Sequence, residues 1–182
     1  IEDINIIDGK KYESLGGSSY YAYKVSQKLG FNVRVISEVS KSLDLSIKLD
    51  TRKIYPQKAK THTIFQNLYS NGKRNQLVIN NPGKLLLRNF NKYIDNLNPK
   101  IVFYCPIFNE FEPSFFTKFE NSIKVCNLQG FVRKNLNKKI KSINELPELD
   151  FKIFDTVIMS EADSSFENAL KISNFSNIVC YT

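Results

Sequence analysis

Apolar residues recur along this chain in two rhythms, one helical and one extended. Over 18–29, Tyr21, Ala22, Val25 and Leu29 fall at helical spacing, with Ser18 or Ser19 as the cap and Gly30 as the stop. A strand is predicted next, over 33–37. The helical period returns over 85–97, where Leu86, Leu87, Phe90, Ile94 and Leu97 share one face. Short β-branched or aromatic runs then predict strands at 101–105, 123–128, 156–160 and 177–182. Between them, Pro113 opens one helix, running to about Glu120, and Asp163 caps another, through Ile172. Strands alternating with helices in this way predict an α/β fold: a mostly parallel sheet with helices on both faces.

The stretch 46–79 follows neither rhythm. It alternates apolar and polar residues, with Phe65 and Asn67 on one face and Ile64, Gln66 and Leu68 on the other. Ser70-Asn71-Gly72-Lys73 is a hairpin turn, because Asn-Gly accepts the positive φ angles that a tight turn needs. This stretch is predicted to be a small antiparallel β lid standing apart from the parallel sheet.

A doubly wound sheet binds ligands beyond the carboxyl ends of its strands. That rule selects Ser37 and Glu38, the stretch from Pro106 to Glu110, Gln129 to Arg133, and Ser160 to Asp163. Composition narrows the chemistry further. The 182 residues are 42% hydrophobic and 24% charged, which is ordinary for a globular domain. The apolar runs are too short to span a membrane. The net charge of +8 favours anions. Arg133, Lys134, Lys138, Lys139 and Lys141 form a basic run that reads as a solvated helix face or loop, without the interleaved aromatic residues of a nucleic-acid platform. Cys105, Cys126 and Cys180 each end an apolar run, as buried strand cysteines of a reduced, cytoplasmic protein do. The single histidine, His62, reads as a solvent-facing strand residue and offers no metal cluster.

The most informative stretch is Gly16-Gly17-Ser18-Ser19-Tyr20-Tyr21-Ala22, continuing to Leu29-Gly30 and the following strand. Paired glycines before a helix let backbone approach a ligand closely. The spacing is not that of a dinucleotide fingerprint, and no strand is predicted immediately before it. This run resembles the first signature region of ribokinase/PfkB-type carbohydrate kinases. TIFQNLY followed by Gly72, Arg74 and Gln76 resembles that family's lid strands. CPIFNEFEPSFF, NLQGFVR, TVIMSEAD and NIVCYT resemble later family segments, in the family's order.

The resemblance implies a ribokinase-like fold and a kinase acting on a sugar, sugar acid or nucleoside with ATP and Mg2+. It implies that Asp3 binds substrate hydroxyls, as a carboxylate that accepts two donors can. Gly16 and Gly17 would border the substrate, with Ser18 and Tyr21 nearby. Phe65 would be a lid residue, Arg74 would reach a polar or anionic substituent, and Arg133 would present its planar fork at the rim. Ser160 and Asp163 occupy the place of the family's Asn-x-x-Glu motif, near the phosphates and the metal, with Ser for Asn and Asp for Glu. The Gly-x-Gly-Asp segment, which holds the family's catalytic base and anion hole, does not occur in the sequence. The family's apolar strand ahead of Asp3 is also missing, and the chain opens on Ile1 rather than Met. The chain is therefore expected to be one incomplete domain, 1–182, without its ATP-binding C-terminal part. A homodimer through the lid is a further expectation. A non-catalytic sugar-binding module of the same fold is the alternative reading, and a basic nucleic-acid-associated domain is a distant one.

Overall fold

A computed structural model describes residues 1–43, 49–81, 83–143 and 145–182. β1 (Glu2–Ile7) and β2 (Lys10–Leu15) form a hairpin that runs straight into α1 (Ser18–Lys28). β3 (Val35–Ser40) and β4 (Ile54–Ala59) pair in parallel. β5 (Ile64–Ser70) and β6 (Lys73–Asn80) are the expected hairpin. Its turn has φ of 51° at Asn71 and 69° at Gly72, the left-handed pair that matches a turn to the twist of its strands. The short α2 (Asn91–Ile94) precedes β7 (Ile101–Tyr104), α3 (Ser114–Lys118) and β8 (Ile123–Asn127). A third hairpin, β9 (Arg133–Leu136) with β10 (Lys139–Ser142), leads on to β11 (Thr156–Met159), α4 (Phe166–Ser173) and β12 (Ile178–Tyr181).

These strands form two main sheets. One is parallel throughout, in the order β12-β11-β8-β7. Its strands are laid down in one direction, so right-handed crossovers bring the connecting segments to one face. That face carries Tyr104, Cys126, Val157 and Met159. They pack on Phe90, Ile94, Phe115, Phe116, Phe154 and Ile172 in a single core. Tyr104 centres its aromatic part, edge-on to Phe116 at 5.2 Å and to Phe154 at 5.7 Å between ring centroids. Its hydroxyl donates to the Phe115 carbonyl at 2.9 Å. On the opposite face Ile101, Phe103, Ile123 and Ile178 are exposed. The second sheet is the lid. It has six strands, in the order β2-β1-β5-β6-β10-β9.

The lid therefore differs from the expected 46–79. It gathers all three hairpins, 2–15 and 133–142 included, whereas β4 leaves it to pair with β3. The first residues of the expected lid, 46–48, lie outside the described ones. The predicted helix over 85–97 is broken into a 3-10 turn at Leu87–Asn89 and the single turn of α2. Leu85, Phe90 and Ile94 still reach the core. α1 turns its predicted apolar side outward. Tyr21, Val25 and Leu29 are exposed, and Tyr23 is its buried residue. Gly17 takes the cap position without a side-chain hydrogen bond, and Gly30 ends the helix with φ of 82°. The basic run is the β9–β10 hairpin, not a helix face or an irregular loop. It closes one edge of the lid sheet, where lysines discourage strand addition. Cys126 is buried as expected, but Cys180 is exposed.

Phe154 is 1% exposed, whereas Phe103 is 39% exposed on the open face. Phe154→Ala is expected to lower unfolding free energy in urea melts by about 3–5 kcal/mol, and Phe103→Ala by only a fraction of that.

Candidate functional site

The two sheets meet at a seam, and a cavity of about 250 Å3 opens there, beyond the carboxyl ends of the parallel strands. Seven of the eight residues expected to bind substrate line it: Asp3, Gly17, Ser18, Tyr21, Phe65, Arg74 and Arg133. The eighth, Gly16, stands directly behind. A side chain there would fall on the Asp3 carboxylate. β2 thus leads directly into the glycine pair, contrary to the expectation that no strand does. Asp3 lies within β1, opposite Ser14 on one side and Phe65 on the other, rather than in a loop after a strand. Gly17 has φ of 86°, a left-handed conformation that favours glycine. Ser18 does not cap α1. Its Oγ accepts from Asn127 Nδ2 at 2.9 Å, which ties the start of α1 to the end of β8.

The lid covers the cavity with a polar inner face. Alternation along β1, β5 and β6 puts Asp3, Asn5, Phe65, Asn67, Arg74 and Gln76 on one side. Gln76 Nε2 donates to Asn67 Oδ1 at 2.9 Å, and Asn67 Nδ2 donates to Asn5 Oδ1 at 3.0 Å. Phe65 meets the rim through an edge-on contact with Phe108, at 6.1 Å between centroids.

The QGFVR run shows how local alternation builds the floor. Gln129 and Arg133 line the cavity, while Phe131 and Val132 are buried in the core. Gly130 is required because a side chain there would meet the Pro106 backbone. Beneath them lies Asp163, which is 4% exposed. It does not cap α4, where Ser165 accepts from the Asn168 amide. Instead, Asp163 Oδ2 accepts from the Ser160 amide at 3.0 Å and from Ser160 Oγ at 2.7 Å. Its Oδ1 accepts from Gln129 Nε2 at 3.2 Å and faces Arg133 Nη2 at 3.9 Å. Both oxygens are therefore engaged within the protein. No cluster of three His, Cys, Asp or Glu side chains occurs among the described residues. This arrangement does not fit Asp163 as a direct Mg2+ ligand. Ser160 and Asp163 adjoin the cavity floor but do not line the cavity.

Electrostatics reflect the burial of the seam. Burial pushes the Asp3 carboxyl above its ordinary range, against the pull of nearby positive charge that includes Arg74. Burial pushes the Arg133 guanidinium down, and Arg74 adds to that effect while Asp163 opposes it. Cys105, in the cavity wall, is pushed up to about 12 by burial and then by Glu110, which keeps it a neutral thiol.

The sequence reading did not single out Ser19, Gln76, Cys105, Pro106, Ile107 and Gln129 as lining residues. The strand-end rule had nonetheless marked the stretches holding Pro106, Ile107 and Gln129. It also missed the role of His62, which is 8% exposed rather than solvent-facing. His62 Nε2 lies 2.7 Å from Glu2 Oε2 in the lid, and Nδ1 lies 2.7 Å from Ser40 Oγ at the end of β3. A second, wider groove of about 480 Å3 lies at the amino ends of β8 and β11, lined in part by Glu120, Lys124, Lys152 and Asp155. It holds none of the expected residues and lies at the wrong ends of the strands for a doubly wound sheet.

The polar inner face of the lid thus faces a cavity at the strand ends of an α/β fold. No protein-family profile matches the chain, and no curated protein matches it. Solved structures do. One is a pyrophosphate-dependent kinase of the ribokinase family complexed with a pyrophosphate analogue and myo-inositol. It aligns with a TM-score of 0.78 and 19% identity, over 100% of this chain and 69% of that one. A sulfate complex of a pyrophosphate-dependent kinase in the ribokinase family gives 0.77 at 19% identity, over 99% and 70%. An uncharacterized sugar kinase from Pyrococcus horikoshii, in complex with ATP, gives 0.55 at 17% identity, over 96% and 63%. The chain has the ribokinase-type fold.

The loop that carries Ile107 into the cavity wall is held by Glu110, which is 6% exposed. Its Oε2 accepts from the amides of Ile107 at 2.7 Å and Phe108 at 2.9 Å. Burial raises the Glu110 pKa above its ordinary 4.5. The folded chain therefore binds this proton more readily than the unfolded one. The contribution of Glu110 to stability is full below the ordinary value and falls as pH rises through the raised one. Glu110→Gln removes this titration. In denaturant melts its destabilising effect should be largest below the ordinary 4.5 and shrink as pH rises above it. An effect that grows with pH would contradict the assignment.

Proposed function

We propose that this chain is the substrate side of a kinase that transfers a phosphoryl group to a hydroxyl of a sugar-like small molecule. The observation that carries this reading is the convergence of Asp3, the glycine pair, Arg74 and Arg133 on one cavity at the seam between lid and sheet. In it, Asp3 accepts hydrogen bonds from two substrate hydroxyls, and Ser18, Gln76 and Gln129 supply further polar contacts. Phe65 and Phe108 close the lid over the ring. Arg133, paired with Asp163 behind it, offers its guanidinium to oxygens in the cavity.

The expected donor is ATP with Mg2+, in keeping with the ATP complex of one solved relative. Pyrophosphate is a second reading, because other relatives of this fold depend on it. The Mg2+ would not rest directly on Asp163, whose oxygens hold Gln129, Arg133 and Ser160. The catalytic base and anion hole are proposed to come from outside 1–182, since the sequence contains no Gly-x-Gly-Asp. The open face of the parallel sheet, with Ile101, Phe103, Ile123 and Ile178, is where such a C-terminal continuation would pack.

The test is a panel of sugars, polyols and nucleosides offered to the full-length protein with ATP or with pyrophosphate. At least one acceptor should yield ADP or orthophosphate. Asp3→Asn should lower kcat/KM for it by ~10- to 100-fold, the worth of a charge-assisted hydrogen bond. No turnover with any acceptor and either donor would leave only a binding module.

The outer face of the lid carries Ile4, Ile6, Leu68 and Leu77, all only partly buried. It is the surface through which a homodimer would form. Sedimentation of the full-length protein should show a dimer that Leu68→Glu dissociates, and an unaffected sedimentation coefficient would rule this surface out.

A further inference from the structure

The carboxyl end of β3 holds both segments that join the β5–β6 hairpin to the rest of the chain. Glu38 and Ser40 are two residues apart on that strand and so share a face. Glu38 Oε1 accepts from the Gly83 amide at 3.2 Å, beyond the end of β6. The approach is close, because a side chain at position 83 would meet the Glu38 carboxylate. Ser40 takes the other segment, between β4 and β5, through His62. Ser40 is 2% exposed, and its Oγ lies 2.7 Å from His62 Nδ1. His62 Nε2 lies 2.7 Å from Glu2 Oε2, at the start of β1. An ionised carboxylate only accepts, so Nε2 is the donor in that bond. A buried imidazole with partners on both ring nitrogens cannot turn without losing one of them.

Glu2 stands between two residues of the cavity wall, Ile1 and Asp3. Its amide donates to the Thr63 carbonyl at 3.0 Å, next to His62. Backbone and side chain of Glu2 are thus both held on 62–63. Alternation along β1 turns Asp3 to the other side, beside Phe65.

We propose that His62 is a positioning residue of the site. It clasps β1 to β3 through Glu2 and Ser40, and so fixes the Asp3 carboxylate against the cavity. This rests on the kinase reading only in assigning Asp3 to a substrate; the clasp itself stands apart from it.

Two measurements on the full-length protein test the clasp, and neither needs a ligand. The first is the titration of the Asp3 carboxyl, followed by carbon NMR and assigned with Asp3→Asn. In the wild type, burial holds it above its ordinary 3.8. His62→Leu should release the start of β1, admit water and bring the Asp3 value down towards the ordinary one. Glu2→Ala should do the same relative to Glu2→Gln, which removes the same charge but keeps an acceptor for Nε2–H. The second measurement is amide hydrogen exchange. His62→Leu and Glu2→Ala should speed the β1 amides by about tenfold, the worth of one hydrogen bond, and leave those of β8 and β11 unchanged. Phe154→Ala weakens the core without touching the clasp, so it should leave the Asp3 titration where it is. Should His62→Leu fail to fold, Glu2→Ala against Glu2→Gln decides alone. The proposal is overturned by an Asp3 titration that these variants do not move, by one that Phe154→Ala moves equally, or by β1 amides that gain no speed over those of β8 and β11. A clasp upheld in a protein that transfers no phosphoryl group would sink the kinase reading alone. Turnover by a protein whose Asp3 ignores the variants would sink the clasp alone.

Discussion

The contact between Arg133 and Asp163 joins the two halves of the molecule that make the site. Arg133 begins β9, in the lid, and Asp163 lies in the turn after β11, at the rim of the parallel sheet. Both are largely buried, so removing either would strand the other's charge in a poorly solvated place. The pair does not act alone. Gln129 donates to the same carboxylate from the end of β8, and the Ser160 amide and hydroxyl hold the carboxylate from below. Two segments about thirty residues apart, 129–133 and 160–163, thereby converge beneath one small cavity. The departure from the family pattern at Ser160 and Asp163 gains a physical meaning here. A carboxylate one methylene shorter than Glu turns back onto its own loop and positions Arg133.

A second constraint is steric. Asp3 occupies the space that a side chain at position 16 would need, and the Pro106 backbone occupies the space above Gly130. Each glycine marks a place where a polar group or backbone must come close to a neighbouring strand for the cavity to exist. This explains why glycine-containing motifs carried so much of the resemblance. The lid's inner face follows the same logic. A strand face that packs on protein alone would be apolar, yet β1, β5 and β6 turn Asp3, Asn5, Asn67 and Gln76 inward and tie three of them into a hydrogen-bonded ladder. A buried polar face of this kind is tolerable because its members satisfy one another.

What was legible in the sequence was local. The Asn71-Gly72 turn and the stop at Gly30 depend on one or two residues and were found where expected, whereas the strand expected over 33–37 runs from Val35 to Ser40. The site residues were legible through motifs whose members sit close in sequence, as in QGFVR. What escaped was set by distant partners. His62 is buried because Glu2 and Ser40, 60 and 22 residues away, take its two ring nitrogens. Asp163 looked like a helix cap because Ser, Asp and Asn all suit that position, and only the fold decides that Ser165 takes it. The lid was placed too narrowly because strand pairing is non-local. Nothing in Lys10-to-Leu15 or in the basic run states that they form the two edges of the β5–β6 sheet.

The stripe on α1 is a different kind of difference. Its helical spacing was read correctly, and its apolar positions are real, yet Tyr21, Val25 and Leu29 face outward while Tyr23 is buried. The open face of the parallel sheet carries a matching excess, in Ile101, Phe103, Ile123 and Ile178. Parallel sheets are stable with both faces covered, and apolar area left in water forgoes about 25 cal/mol per Å2. Asn127, on the open side of β8, already holds the start of α1 through Ser18, so helix and sheet face belong to one side of the molecule. The lid side is polar where it meets the cavity and tied together by hydrogen bonds, whereas this side is apolar and uncovered among the described residues. The groups that would grip a substrate sit at the seam between the two sides, Ser18 and Tyr21 from α1 and Asp3, Arg74 and Arg133 from the lid.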